Sequence, residues 1–207
     1  MMTTKIDYKK VLKTFYNPPT RPFTVVDVPP LRFLMVDGSG NPNTAEAYTQ
    51  AVEALYGLSY ALKFAVRKET GVDYGVMPLE GLWWAEDMDD FITRNKDNWL
   101  WTMMIMQPEE HVTAALVARV RDELRRKKDL PALDRVRFET YSEGVALQVM
   151  HIGSYDDETP LLAAMHAQIE ADGYVRSGKH HEIYLGDPRR TAPEKLKTVL
   201  RQPFRAK

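Results

Sequence analysis

A mixed fold of helices and strands in two layers is what the sequence predicts, on three observations: β-branched and aromatic runs recur along the chain, three helical periodicities lie between them, and one strand–helix–strand pattern occurs twice. In the first copy a strand ending at Gly38-Ser39 leads to Thr44 at a helix start. In the second a strand ending at Gly153-Ser154 leads to Thr159, and both glycine-to-threonine intervals are six residues. Each helix is followed by a strand with a glutamate beside aromatics, Glu80 with Trp84 and Glu182 with Tyr184. Duplicated units of this kind build two pseudo-symmetric layers with a cleft where they meet.

Taken in order, Met1 to Pro22 is a basic and aromatic lead-in that ends in the turn-forming Asn17-Pro18-Pro19-Thr20-Arg21-Pro22 and is too short for a DNA-binding module. Phe23–Val28 and Leu31–Val36 are strands separated by Pro29-Pro30. Asn43 to Lys68 is a long helix, with Asn43 and Glu46 in capping-box spacing. Val76–Trp84 is a strand region whose alternation puts Leu79 and Trp83 on one face; Glu80, Leu82 and Trp84 share the other, which is assigned to solvent or a groove because Glu80 is poor core material. The acidic run Glu86–Asp90 lacks calcium-loop spacing and reads as a solvated helix start.

Asn98–Met106 is a strand apolar on both faces, as in a central strand. Pro108–Lys128 is a helix with Glu109 and Glu110 at its positive end, four basic residues at its negative end, and Leu116, Val120 and Leu124 as its buried stripe. Val136–Tyr141 and Val145–Gly153 are read as a hairpin joined at Ser142-Glu143-Gly144. A helix capped by Thr159 runs to Gly173 with Leu162, Met165 and Ile169 on its apolar face. His180–Leu185 and Leu196–Phe204 close the chain. The domain reading is a lead-in over 1–22 and one domain over 23–207, with repeat 1 about 23–107, a connecting helix about 108–128 and repeat 2 about 136–207.

The balance of charge narrows the partners. With 28 basic and 29 acidic residues, net charge −1, the chain has no bulk attraction for nucleic acid or an anionic membrane. It has no cysteine, which excludes disulfides, thiolate nucleophiles and cysteine-ligated metals and fits a reducing compartment. The start of the chain lacks a signal-peptide pattern and no stretch approaches the roughly 20 apolar residues of a membrane span, so a cytoplasmic location is expected. The 44% apolar content is enough for a sizeable core over 207 residues.

The stretch His180-His181-Glu182-Ile183-Tyr184-Leu185-Gly186-Asp187-Pro188 stands out because it sets a carboxylate inside an otherwise buried strand. Period-two alternation puts His181, Ile183 and Leu185 on one face, read as core, and His180, Glu182 and Tyr184 on the other, read as a site. A desolvated carboxylate is paired, catalytic or ligand-facing. An edge strand with its polar face in water is the alternative. Gly-x-Ser-x-Gly, His-Glu-x-x-His and phosphate-binding glycine loops are all missing from the sequence, and the five histidines lack metal-ligand spacing, so neither a metal nor a cofactor is expected.

On three stretches, Leu34-Met35-Val36-Asp37-Gly38-Ser39-Gly40, Pro78-Leu79-Glu80-Gly81-Leu82-Trp83-Trp84 and His180 to Arg190, the chain resembles the GyrI-like proteins, a small-molecule-binding family. The resemblance implies an α+β fold of two pseudo-symmetric strand–helix–strand–strand repeats around an aromatic-lined groove with a central glutamate, which maps to Glu182. Relatives fused to a helix-turn-helix sense drugs; this chain has no such module. It matches better a stand-alone subfamily that resembles hydrolases opening the cyclopropane of DNA-alkylating compounds. On that reading Glu182 activates water, Tyr184 or Tyr155 hydrogen-bonds it or the substrate, Trp84 and Trp101 stack on the ligand, and Glu80 and His180 line the site. Planar, apolar or cationic small molecules would gain about 0.5–2 kcal/mol from each aromatic contact. The rival class is a protein-interaction module, such as a gyrase inhibitor or an effector-sensing partner of a regulator.

Overall fold

The structure, a computed structural model, describes residues 4–86 and 95–207. The expected helix start at Glu86–Asp90 lies, from Asp87 onward, outside them. The fold is α+β, and packing divides the chain into two compact units whose segments interleave along the sequence.

The first unit holds 1–11, 31–79 and 84–141. Its sheet is β7(Arg137–Tyr141)–β3(Leu31–Ser39)–β6(Leu100–Met106), antiparallel, with Leu34 opposite Ile105 and Val36 opposite Met103. Trp101 through Met106 are all buried, as a strand apolar on both faces requires. Helix α3 (Glu46–Thr70) covers this sheet through Leu55, Leu58 and Leu62, and α4 (Ala114–Arg125) packs on α3 with Val117, Val120 and Leu124 buried. A short parallel pair, β1 (Thr4–Ile6) with β4 (Val72–Tyr74), and α1 (Tyr8–Val11) complete it.

Two helix starts differ from expectation. The Asn43–Glu46 capping box does not form: Asn41 Oδ1 takes the Asn43 N–H instead, and α3 begins after Ala45, which offers no side-chain cap. Likewise α4 begins six residues later than Pro108. The chain turns first at Pro108–Val112, and Thr113 Oγ1 caps the Leu116 N–H at 3.2 Å. An available cap at the point where the apolar stripe meets the core overrides the acidic residues upstream.

The second unit holds 12–30, 80–83 and 142–207. Its strand order is β2(Thr24–Val28)–β8(Gly144–Ile152)–β11(Lys197–Ala206)–β10(His180–Tyr184)–β5, the last strand, Leu79–Trp84, contributing Glu80 to Trp83 to this unit. The short β9 (Tyr174–Arg176) pairs with the end of β11. Helix α5 (Thr159–Ala171) starts at the residue expected to cap it, one residue early, with Glu158 at the N-cap position and Pro160 in the first turn. It lays Met165 and Ile169 against Leu147, Val149 and Leu200. Helix α2 (Lys13–Tyr16) is tied down where Gln148 Nε2 donates to Thr14 O at 2.7 Å and Arg201 Nη2 donates to Phe15 O at 2.7 Å.

The hairpin expected over 136–153 is absent. β7 pairs with β3, β8 pairs with β2 and β11, and the chain passes from the first unit to the second at Ser142. Two adjacent strand runs with a short polar link carry the same local signal whether they pair with each other or with distant partners.

Candidate functional site

Strand β10 carries different chemistry on its two faces. His181 points into the protein, 1% exposed, between two carboxylates: Nδ1 lies 2.8 Å from Glu143 Oε1 and Nε2 lies 3.0 Å from Glu80 Oε2. Arg201, directly opposite His181 on β11, donates from Nη1 to Glu143 Oε2 at 2.8 Å and from Nε and Nη2 to Gln148 Oε1. Tyr16 donates to the second oxygen of Glu80 at 2.7 Å. With His181 protonated, two anions and two cations cancel inside the protein. Burial alone pushes the His181 imidazole down, but Glu143 and Glu80 more than reverse this and raise it to about 9. Desolvation likewise pushes Glu143 up, and His181 and Arg201 overcome it to hold that carboxyl at about 2. The Tyr16 phenol is raised well above its usual value, first by burial and then by Glu80.

The other face presents His180, Glu182 and Tyr184. Tyr184 donates to Glu182 Oε2 at 2.8 Å, and Trp83 Nε1 donates to the Tyr184 oxygen at 2.8 Å. Glu182 Oε1 lies 3.3 Å from His180 Nε2, with the two side chains 12% and 6% exposed. Desolvation drives Glu182 upward, yet His180, Tyr184 and the Glu158 carboxyl together bring it below its ordinary value. Tyr155 packs edge-on against Tyr184, ring centroids 5.6 Å apart at 78°. Gly81 makes this arrangement possible: a Cβ there would sit 2.6 Å from Trp83 Nε1 and 3.1 Å from the Tyr184 oxygen.

Buried polar atoms without a hydrogen-bond partner gather on the same face: both ring nitrogens of His180, Nε2 of His166 on α5, and Oγ1 of Thr198, which stands opposite Tyr184 on β11. Native interiors contain few such atoms, and polar groups with bonding capacity to spare beside a carboxylate are suited to a polar ligand. Burial, reinforced by Arg176 and His180, pushes the His166 imidazole down to about 4.

Residues 21–205 match the GyrI-like small molecule binding domain. The chain belongs to the GyrI-like family. An uncharacterized conserved protein from Listeria innocua is 39% identical over 97% of this chain and 100% of its own, with a TM-score of 0.89. A hydrolase from the same organism is 37% identical over 97% and 100%, with a TM-score of 0.84. The C-terminal domain of EcmrR, 12% identical over 90% and 98% with a TM-score of 0.54, shares the fold. No curated protein matches the chain.

Within this GyrI-like chain the structure brings Glu182, Tyr184, His180 and Tyr155 together in the second unit. Glu80 belongs to that unit too, but on the His181 face, 1% exposed and with both oxygens engaged. The assignment of its face to solvent or a groove is therefore overturned: Tyr16 and His181 supply the partners that make burial of Glu80 tolerable. Trp84 and Trp101 belong to the first unit. Trp101 is fully buried, edge-on to Tyr48 at 5.4 Å and donating from Nε1 to Gly40 O at 3.3 Å.

Sequence reasoning missed Trp83, read as core, and Glu143, read as a turn residue. The signal for Trp83 was the glycine two residues before it, since close approach of a ring needs a missing Cβ. Nothing local marks Glu143, whose partners lie 38 and 58 residues away. Among the described residues no group of three or more His, Asp or Glu is placed to hold a metal, and no helix is long and apolar enough to cross a membrane.

Proposed function

We propose that this GyrI-like protein binds planar, apolar or cationic xenobiotics at the Glu182 face of β10 and hydrolyses those that carry an activated cyclopropane. The observation that carries this reading is the Glu182 carboxylate itself, nearly buried, with one oxygen held by Tyr184 and the other 3.3 Å from His180. A carboxylate fixed in this way is oriented as a general base. It attracts a cation while a site is only bound, and it deprotonates water where an electrophilic carbon is presented.

In the hydrolytic reaction the water oxygen bonds to a cyclopropane carbon as Glu182 takes its proton. The strained C–C bond breaks, and its electron pair passes to the conjugated carbonyl oxygen, which is then protonated. The product is substrate plus water. Tyr184, fixed by Trp83, holds the carboxylate in place, and Tyr155 with Tyr184 offers aromatic surface. The resemblance to a Listeria hydrolase at 37% identity supports turnover as well as binding.

The test is tryptophan-fluorescence titration of wild type and Glu182→Gln with planar cationic dyes and cyclopropane-bearing alkylators in ¹⁸O-water, with products read by mass spectrometry. A labelled water-added product from wild type, lost by about 10²-fold or more in Glu182→Gln, is expected for a general base. Full turnover by Glu182→Gln removes the mechanism; saturable binding without product leaves a drug-binding protein.

A second reading, a protein-interaction module, is favoured by one feature. Tyr60 and Phe64, four residues apart on α3, are 48% and 55% exposed, more than an isolated helix face needs. That reading predicts that a partner is lost with Tyr60→Ser/Phe64→Ser and kept with Glu182→Gln.

A further inference from the structure

We propose that the solvent-facing side of α3 is the seat of a second copy of this chain, which lays its own α3 antiparallel across it to make a two-fold dimer. The proposal rests on neither reading of function above.

Helix α3 runs 25 residues and buries one side through Leu55, Leu58, Leu62 and Val66. Its other side carries Tyr60, 48% exposed, and Phe64, 55% exposed. Tyr56, one turn earlier, stacks on Tyr60 with ring centroids 6.3 Å apart at 29°, and Lys63 Nζ lies 5.8 Å from the Phe64 centroid. Single apolar side chains on a surface need no explanation, but a row of three rings at helical spacing does.

The order of residues along this side decides what covers it. Counted from Tyr60, positions four and seven away in either direction lie on the same face of a helix. Four away are Tyr56 and Phe64; seven away are Glu53 and Arg67, both exposed. The row therefore reads acid, ring, ring, ring, base. Turned end for end on a second copy, about an axis through Tyr60, the row meets its own complement. Tyr60 then faces Tyr60, Tyr56 faces Phe64 of the other copy, and Glu53 faces Arg67 of the other copy. An isologous two-fold contact requires this, because every pairing in it is made twice. A parallel arrangement would instead set Glu53 against Glu53 and Arg67 against Arg67. The helix macrodipole favours an acid early and a base late, but it gives no reason to keep aromatic rings in water between them.

The dimensions fit. From Glu53 to Arg67 the helix rises about 21 Å at about 1.5 Å per residue. Two helices crossing at about 20° stay side by side over that length, with axes about 8–10 Å apart. Aromatic rings at the centre and charges at the rim are the anatomy of a protein interface. The strip is narrow, so the contact belongs with the small, weak class and forms only at high protein concentration. It accounts for the exposed rings of α3 with no foreign protein.

Sedimentation equilibrium of the full chain, from about 1 µM to about 500 µM, tests the proposal. Wild type is expected to pass from monomer to dimer over that range. Glu53→Arg and Arg67→Glu each set like charges face to face at both ends of the strip, and each is expected to weaken association about 10-fold or more. Tyr60→Glu, which sets two carboxylates against each other at the axis, is expected to weaken it about 10²-fold. An equimolar mixture of Glu53→Arg with Arg67→Glu puts opposite charges back at both ends, so a mixed dimer about as tight as wild type is expected. Wild type that stays monomeric at the highest concentration overturns the proposal and leaves the exposed rings to a foreign partner. A wild-type dimer indifferent to Tyr60→Glu, or single charge variants that do not recover on mixing, overturns it as well. Turnover and dye binding at Glu182 are read separately on the same samples, so a failure of the dimer and a failure of the hydrolytic reading are told apart.

Discussion

The buried cluster around His181 makes stability fall on the alkaline side of neutrality, in a window that can be stated in advance. The imidazole is raised from 6.5 to about 9 because Glu143 and Glu80 hold its proton at 2.8 and 3.0 Å inside the protein. A group whose folded value lies above its unfolded value contributes fully below the unfolded value and loses that contribution as pH rises through the folded one. The gap corresponds to about 3 kcal/mol below pH 6, of which about 2 kcal/mol remains at pH 7.5 and almost none at pH 10. Glu143, held near 2, is ionised throughout this range, and its own contribution is lost only as pH falls from about 4.5 through about 2. The Tyr16 phenol begins to weigh on stability only above pH 10, where the unfolded phenol ionises and the folded one does not.

The assay is urea unfolding at intervals from pH 6 to 9.5, in wild type and in His181→Gln, read as the difference between the two curves. That difference should shrink by about 2 kcal/mol between pH 7 and pH 9.5. A difference that stays flat across this interval refutes the idea that His181 is held as a cation, and with it the charge balance assigned to the cluster.

Glu143→Leu leaves Arg201 and His181 facing each other without an anion between them and is expected to cost about 3–5 kcal/mol, measured from urea midpoints at pH 7. Gly81→Ala places a methyl 2.6 Å from Trp83 Nε1, so it should break the Trp83–Tyr184 hydrogen bond at a cost of about 1–3 kcal/mol and shift the tryptophan emission. The same variant should weaken turnover or dye binding through Tyr184, whereas Val25→Thr, on the exposed side of β2, should leave both unchanged.

The parts of the fold legible in the sequence are those whose cause is local. Trp101 to Met106 announce a central strand by having no polar side, and Met165 with Ile169 announce the packed face of α5 by helical spacing. Pairing was not legible. Pro29-Pro30 divides β2 from β3 in the sequence, and the two strands serve different units, as do β7 and β8 on either side of the link at Ser142-Glu143. Site residues followed the same rule: period two along one strand identified His180, Glu182 and Tyr184, while Trp83 and Glu143 reach their partners across 101, 38 and 58 residues of sequence.

The two faces of β10 explain each other. A strand that carries an ionised, partly satisfied site on one side has to be held in register by something that does not depend on that site, because slipping by one residue would exchange the faces. The His181 face does this with groups drawn from four other segments: Glu80 from β5, Glu143 from the link before β8, Arg201 from β11 and Tyr16 from α2. The two bonds made by His181, to Glu80 and to Glu143, form only when β10 lies in one register against its neighbours. The cluster is poor value as a source of stability, since buried ion pairs of good geometry do little better than apolar residues of the same size. Its return is specificity of position, which a carboxylate 3.3 Å from an imidazole needs more than it needs stability. Replacing Glu80, Glu143, His181 and Arg201 together by apolar residues of similar volume should therefore leave a folded protein with a urea midpoint close to wild type, yet one in which Glu182 no longer holds a single conformation and ligand turnover falls.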